Sequence, residues 1–240
     1  MEGPSLIIAR EEMEGAIGQK VLRVTGNSRC PISTIKGQVL EDIGTWGKHL
    51  LLFFTDFSVK IHFLLWGSYR VNDPKPTQKP RLVLTFKSLK IYFYSCSIKF
   101  LDDDVENIYD WSEDILSPSW DGKKALEKIN SHPDRMIGDV LLDQSIFSGV
   151  GNIMKNEVLF LCRINPERKV RSISQAKLRS LIKETHEYAW KFYAWKKRFE
   201  FKRHWQIMRK KVCPVSLGKV SRKVTGQRER LSYFCPVCQK

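Results

Sequence analysis

LLDQSIFSGVGNIMKNEVLF, residues 141–160, reads as two helical patterns broken by the turn GVGN at 149–152. Gly149 and Gly151 suit the turn, and Asn152 is expected at the cap of the helix that follows. Backbone N–H groups at a helix start, with an asparagine amide beside them, form an anion site suited to a DNA phosphate. Apolar spacing on either side extends the helical reading to DGKKALEKINSH (121–132), MIGDVLLDQSIFSG (136–149), IMKNEVLFLCRI (153–164) and SQAKLRSLIKETHEYAWKFYAWKKRF (174–199).

Toward the amino terminus the period changes. Residues 4–17 carry apolar positions at Leu6, Ile7, Ala9, Met13, Ala16 and Ile17, a helix ended near Gly18. After it come short β-branched and aromatic runs: KVLRVT (20–25), HLLLFF (49–54), VKIHFLLW (59–66), RLVLTF (81–86) and KIYFYSC (90–96). Such runs without long helices between them predict a compact antiparallel sandwich or barrel. The fold class is therefore two-domain α+β, with the sandwich at 1–112, a linker at 113–125, helices at 126–211 and a cysteine- and turn-rich end at 212–240.

Charge points to a polyanion. The net charge is +15, and Lys191–Arg230 holds fourteen Lys/Arg against Glu200 and Glu229, twelve of the fifteen. Such a field draws a polyanion and makes binding salt-dependent; nucleic acid is the leading partner, with an anionic membrane surface or plain solubility as alternatives. The acidic run from Asp102 to Asp114 is expected to be a solvated connector facing away from the polyanion. A 42% hydrophobic content fits a folded domain, and no apolar run approaches the ~20 residues of a membrane span. The acidic start has neither a basic leader nor an apolar h-region, so the expected setting is intracellular, cytoplasmic or nucleoid-associated, as a monomer.

Three of the six cysteines crowd the end: Cys213, and Cys235 and Cys238 in a C-x2-C knuckle. Without a secretory signal, a zinc site is favoured over disulfides. A hairpin between two knuckles would supply four thiolates, but the position three after Cys213 is Ser216, a poor zinc ligand. Three thiolates with water, or with His204 or His62, stay open, as does a hairpin that folds on its own contacts. Whether or not metal binds, Arg230, just before LSYF, is the arginine that strand pairing would fix against a phosphate.

The ordered combination of an EGP start, LLDQSIFSGVGNIMKNEVL and a basic hairpin ending CPVCQ resembles the formamidopyrimidine-DNA glycosylase/endonuclease VIII family, the endonuclease VIII side more closely. The resemblance implies a β-sandwich with a long N-terminal helix, a helix–two-turn–helix module and a zinc-finger hairpin, with damaged double-stranded DNA as partner and base excision with strand cleavage as activity. It implies Glu2 as general acid and Lys48 of WGKHLL at the DNA backbone. It also implies Asn152 and Arg230 gripping phosphate, His62 as a further phosphate contact, and Leu64, Leu65 and Trp66 filling the gap left by an everted nucleotide. HFLLW at strand spacing reads equally well as core, which leaves wedge and core both open for Trp66.

The family usually begins Met-Pro-Glu-Gly-Pro and uses the proline amine as nucleophile. Here that proline is absent, and glutamate after the initiator is too large for ordinary methionine removal, so Met1 falls on the nucleophile's position. Its primary amine, with a reference pKa of ~7.7–8.0, keeps a neutral fraction near physiological pH. Three readings stand open: an enzyme acting through Met1, a lesion- or abasic-site-binding homologue with little chemistry, and an amino terminus altered from the natural one.

Overall fold

In the computed structural model, which describes residues 1–240, Glu2 is extended (φ −102, ψ 159) and the chain turns helical at Gly3. Pro4 sits in the first turn of this helix, α1 (Gly3–Met13), where its missing N–H costs nothing. Leu6, Ala9 and Met13 recur at helical spacing and are fully buried, so one stripe of α1 faces the core. The helix is three turns long, and the chain then tightens at Glu14–Ala16.

The chain divides into two compact units, Met1–Asp110 and Trp111–Lys240. The first carries β1 (Arg23–Thr25), β2 (Asp42–Trp46), β3 (His49–Phe53), β4 (Ser58–His62), β5 (Ser68–Val71), β6 (Leu82–Thr85), β7 (Lys90–Tyr94), β8 (Ser97–Leu101) and a helical turn, α2 (Val105–Ile108). They form two antiparallel four-stranded sheets, ordered β2-β3-β4-β8 and β1-β6-β7-β5. One hydrophobic cluster joins them: Leu50, Leu52, Val59 and Ile61 from the first sheet meet Leu82, Leu84, Ile91 and Phe93 from the second, with Leu6 and Met13 of α1. Each such side chain contributes roughly 1.5–3 kcal/mol of burial, and the result is the expected sandwich.

Strands β2, β5 and β8 carry no strong run of their own and escape a sequence reading. The expected strand VKIHFLLW is shorter than its composition suggests, because β4 ends at His62. Leu64 takes a left-handed conformation (φ 50), and Gly67 N–H donates to the Phe63 carbonyl at 2.7 Å. A Cβ on Gly67 would lie 2.0 Å from that carbonyl oxygen, so only glycine closes this loop.

The second unit contains α3 (Gly122–Asn130), α4 (Ile137–Leu141), α5 (Asn152–Leu161), α6 (Gln175–Lys197) and the hairpin β9 (Ser221–Thr225) with β10 (Arg230–Phe234). Asp121 caps α3 by accepting from Lys123 N–H at 2.8 Å and Lys124 N–H at 3.2 Å, a contribution of about 1 kcal/mol. The expected helix over 136–149 stops at Leu141; Asp143 then accepts from Ser145 N–H at 3.1 Å, and Gln144 braces the turn by accepting from Gly149 N–H at 3.1 Å. The acidic connector departs from expectation at one residue. Asp114 is buried, its carboxylate accepting from Leu116 N–H at 3.0 Å, and Ile115 and Leu116 are buried beside it, so this stretch packs.

Candidate active site and nucleic-acid interface

Alternation along β4 sends Val59 and Ile61 inward and leaves Lys60 and His62 on the opposite face. His62 pairs directly across the ladder with His49, their rings edge to face at 5.4 Å. His49 also meets Trp46 at 5.7 Å and Tyr109 at 5.6 Å. Lys48 lies in the two-residue turn that joins Trp46 to His49. A cationic corner results. Burial first, and then the charges of the terminal ammonium, Lys48 and Lys60, push the His62 imidazole below its usual pKa. His49 is pushed down to about 3, by burial and then by Lys60, His62 and Lys48. Both rings are therefore neutral near pH 7, and a neutral imidazole among cations can still donate one N–H to a phosphate.

The amino terminus belongs to this corner. The Met1 amine donates toward the Leu64 carbonyl at 3.5 Å, which ties it to the loop after β4. At that loop's tip Leu64, Leu65 and Trp66 are 52%, 66% and 85% exposed, so none is a core residue. Glu2 occupies the cap position of α1, and its carbonyl accepts from Ser5 N–H at 2.9 Å. Within the first unit, then, an amine, a carboxylate one residue away, Lys48, His62 and an exposed apolar loop share one region.

In the second unit the turn before α5 and the hairpin are bound together. Asn152 is the first residue of α5 and Gly151 is its cap, one position earlier than expected; the Asn152 side chain is occupied otherwise. Its Nδ2 donates to the Leu231 carbonyl at 2.9 Å, one residue from Arg230, which opens β10 opposite Thr225. An amide nitrogen carries a second N–H for a further acceptor. Four residues on, and so on the same helix face, buried Asn156 accepts from Tyr233 N–H at 3.0 Å and donates to the Asn152 carbonyl at 2.8 Å. Buried Lys155 donates to Ser232 Oγ at 2.8 Å. The hairpin's turn is held by α4: the buried Asp139 carboxylate accepts from Gln227 N–H at 2.8 Å and Arg228 N–H at 3.3 Å. A side chain on Gly226 (φ 73) would strike that carboxylate at 2.3 Å. Sequence reading found Arg230 but missed Asp139, Lys155 and Asn156. The spacing of four between Asn152 and Asn156 was the one available signal.

At the hairpin base the Sγ atoms of Cys213, Cys235 and Cys238 lie within 4.8 Å of one another, those of Cys213 and Cys238 at 3.8 Å. Tetrahedral zinc with Zn–S bonds of ~2.3 Å needs sulfur separations of roughly 3.8 Å, so the donors fit. Ser216 lies beside them, its Oγ 3.2 Å from Cys235 Sγ. His204 is stacked on Trp195 at 4.1 Å, and His62 belongs to β4; the cysteine cluster includes neither. Burial acts upward on the Cys213 thiol, but hydrogen bonds from the Ser216 hydroxyl and the Ser216 and Val215 N–H groups outweigh it and hold it at about 6. Burial and the contact with Cys235 push Cys238 up, so Cys213 is the first of that pair to carry charge.

Residues 113–189 match the formamidopyrimidine-DNA glycosylase H2TH domain. Endonuclease 8-like 3 of Mus musculus is 31% identical over 246 residues, covering 99% of this chain and 41% of that protein. The chain thus carries the H2TH domain of the formamidopyrimidine-DNA glycosylases and is similar along its length to endonuclease 8-like proteins. It spans about two-fifths of the length of that mouse relative. Among solved structures of the same fold, a viral DNA glycosylase superposes with a TM-score of 0.88 at 24% identity, and Lactococcus lactis formamidopyrimidine-DNA glycosylase, non-covalently bound to DNA containing an AP site, with 0.87 at 23%; both matches cover all of each chain. The family's H2TH segment thus contains the Gly149–Asn152 turn and the whole of α5. No helix of the chain is long and apolar enough to cross a membrane.

Proposed function

We propose that this chain is a bifunctional DNA glycosylase with abasic-site lyase activity, acting on oxidised bases in duplex DNA. The observation that carries the proposal is the first unit's cationic corner, where the terminal amine lies beside Lys48, His62 and the exposed Leu64–Trp66 loop. An enzyme working on a base in duplex DNA must extrude the nucleotide, and an apolar wedge offsets the lost stacking. Leu65 and Trp66 supply that wedge, while His62, Lys48, Asn152 and Arg230 hold the flanking phosphates.

The neutral Met1 amine attacks C1′ of the everted nucleotide, and the bond to the base breaks. Glu2 delivers a proton to the leaving group or the ring oxygen. Opening of the sugar leaves an imine between the amine and C1′, which acidifies the C2′ proton; its removal expels the 3′ phosphate by β-elimination, and hydrolysis frees the amine. In the hairpin, Cys213, Cys235 and Cys238 with Ser216 would hold zinc in a purely structural role, bracing the segment that carries Arg230.

Methionine in place of the family's usual proline favours a second reading, a lesion binder without chemistry. Incubation with a duplex containing one abasic site separates the two. The proposal expects a nicked strand bearing an elimination end. Tight binding with an intact strand would leave the binder.

A further inference from the structure

The two knuckles at the hairpin base share the tripeptide Cys-Pro-Val, at Cys213–Val215 and again at Cys235–Val237. In each the cysteine is buried while the proline and valine are exposed. The knuckles meet face to face: Cys213 Sγ lies 3.8 Å from Cys238 Sγ, and a side chain on Gly218 would lie 3.8 Å from Val237 Cγ2. Val215, Leu217 and Val237 therefore crowd one end of the hairpin, 60%, 78% and 62% exposed. Leu217 is also left-handed (φ 58), a backbone position that a residue with a Cβ takes only at a cost. Both loops are braced. Leu217 N–H donates to the Cys213 carbonyl at 3.0 Å, and Cys213 N–H to the Gly218 carbonyl at 2.9 Å. In the second knuckle buried Gln239 accepts from Cys235 N–H at 2.9 Å and donates to the Ile164 carbonyl at 2.8 Å. The phosphate contacts proposed above leave this end unused, since the length of β10 separates it from Arg230, roughly 17 Å at ~3.3 Å per residue.

We infer that the knuckle end is a docking surface for an acidic segment of a partner protein, whose aliphatic side chains seat on Val215, Leu217 and Val237. Three aliphatic residues at these exposures present roughly 300 Å² of apolar surface, the range in which such a patch on a monomer is often functional. The charge around it selects the partner. Lys211, Lys219 and Lys240 are exposed beside it, and Glu229, away in the hairpin's turn, is the only acidic residue from Trp205 to Lys240. An apolar centre with a charged rim is the anatomy of a protein interface. Duplex DNA offers phosphates to the lysines but nothing to the aliphatic centre, which has no aromatic ring to stack on a base. A second copy docked by the same surface would set lysine against lysine.

The test uses the full chain and a short fluorescein-labelled peptide of alternating aspartate and leucine. Anisotropy is expected to show saturable binding that weakens with salt, and methyl NMR of the parent to show shifts at Val215, Leu217 and Val237. Leu217→Asn, which suits the left-handed backbone, and Val237→Ser should each weaken the peptide roughly tenfold or more, the scale of uncovering one aliphatic side chain. Affinity for abasic duplex should stay the same in both variants, and the peptide should still bind when duplex is present. No binding by the parent overturns the proposal, and so does equal binding of a peptide with serine in place of leucine, the mark of charge alone. Displacement of the peptide by duplex, or loss of duplex affinity in the variants, overturns it in favour of DNA. Binding to phosphatidylserine vesicles that the variants lose overturns it in favour of a membrane surface.

Discussion

Asn156→Leu tests what holds the hairpin in place. Asn156 is 1% exposed, and its Oδ1 is the acceptor for Tyr233 N–H in the middle of β10. Leucine fills similar space but leaves that buried N–H unpaired, which costs about 1–3 kcal/mol. For a unit of this size the melting temperature should drop by roughly 3–10 °C. Removing metal with a chelator should cost the parent less, because Asp139, Asn152, Asn156 and Lys155 hold the hairpin through hydrogen bonds that involve no thiolate. Displacing Arg230 should also weaken binding to abasic duplex by roughly tenfold or more, the worth of one charge-assisted contact. Calorimetry gives the first quantity and fluorescence anisotropy the second. A double-mutant cycle supplies the decisive comparison: combined with Arg230→Ala, Asn156→Leu should add little further loss of affinity. Full additivity, or a hairpin that melts with chelator while Asn156→Leu melts like the parent, would refute the clamp.

Acid should weaken the first unit through His49. Its folded pKa of about 3 lies below the ordinary 6.5, so the unfolded chain binds the extra proton; stability is complete above about pH 6.5 and falls by up to ~1.4 kcal/mol per pH unit as pH drops toward 3. Denaturant titrations of His49→Leu across that window should show a shallower slope, and an unchanged slope would exonerate His49. Trp66→Ala should leave the melting temperature within a degree or so, since the side chain is 85% exposed, yet cost about 1–3 kcal/mol of affinity for abasic duplex if the ring stacks on a base. Equal affinity would remove it from the interface. Ser216→Cys should raise zinc affinity by completing four thiolates, as read by competition with a chromophoric chelator; no gain would mean the fourth corner is closed to metal.

The fold was legible where chemistry and period coincide. Apolar spacing announced α1 and the helices that begin near 121 and 174, and the structure adds the side-chain caps of Asp121 on α3 and Ser174 on α6. The GVGN turn and the C-x2-C knuckle are local signals, and they survive as such. Strands β2, β5 and β8 were hidden because DIGTW, SYRV and SIKFL acquire their pattern only from partners across the sheet. VKIHFLLW misled for a related reason: composition alone does not reveal that Leu64 turns left-handed and sends Trp66 outward. Among site residues, Met1, Glu2, Lys48 and His62 came from resemblance and lie in one region of the first unit. His49 and Tyr109 went unnoticed because ring packing across strands leaves no linear trace. The hairpin's hydrogen bonds to α4 and α5 were equally invisible, being contacts between residues about 75 to 90 positions apart.

The central claim is that the amine of residue 1 forms a covalent bond with the sugar of the everted nucleotide. Incubating the chain with abasic duplex and sodium borohydride, then digesting and mapping the product by mass spectrometry, tests it directly. The account predicts a reduced sugar adduct on the α-nitrogen of Met1, with strand cleavage lost in proportion to adduct formed. An adduct on Lys48 or another lysine, or firm binding with no adduct anywhere, would contradict it.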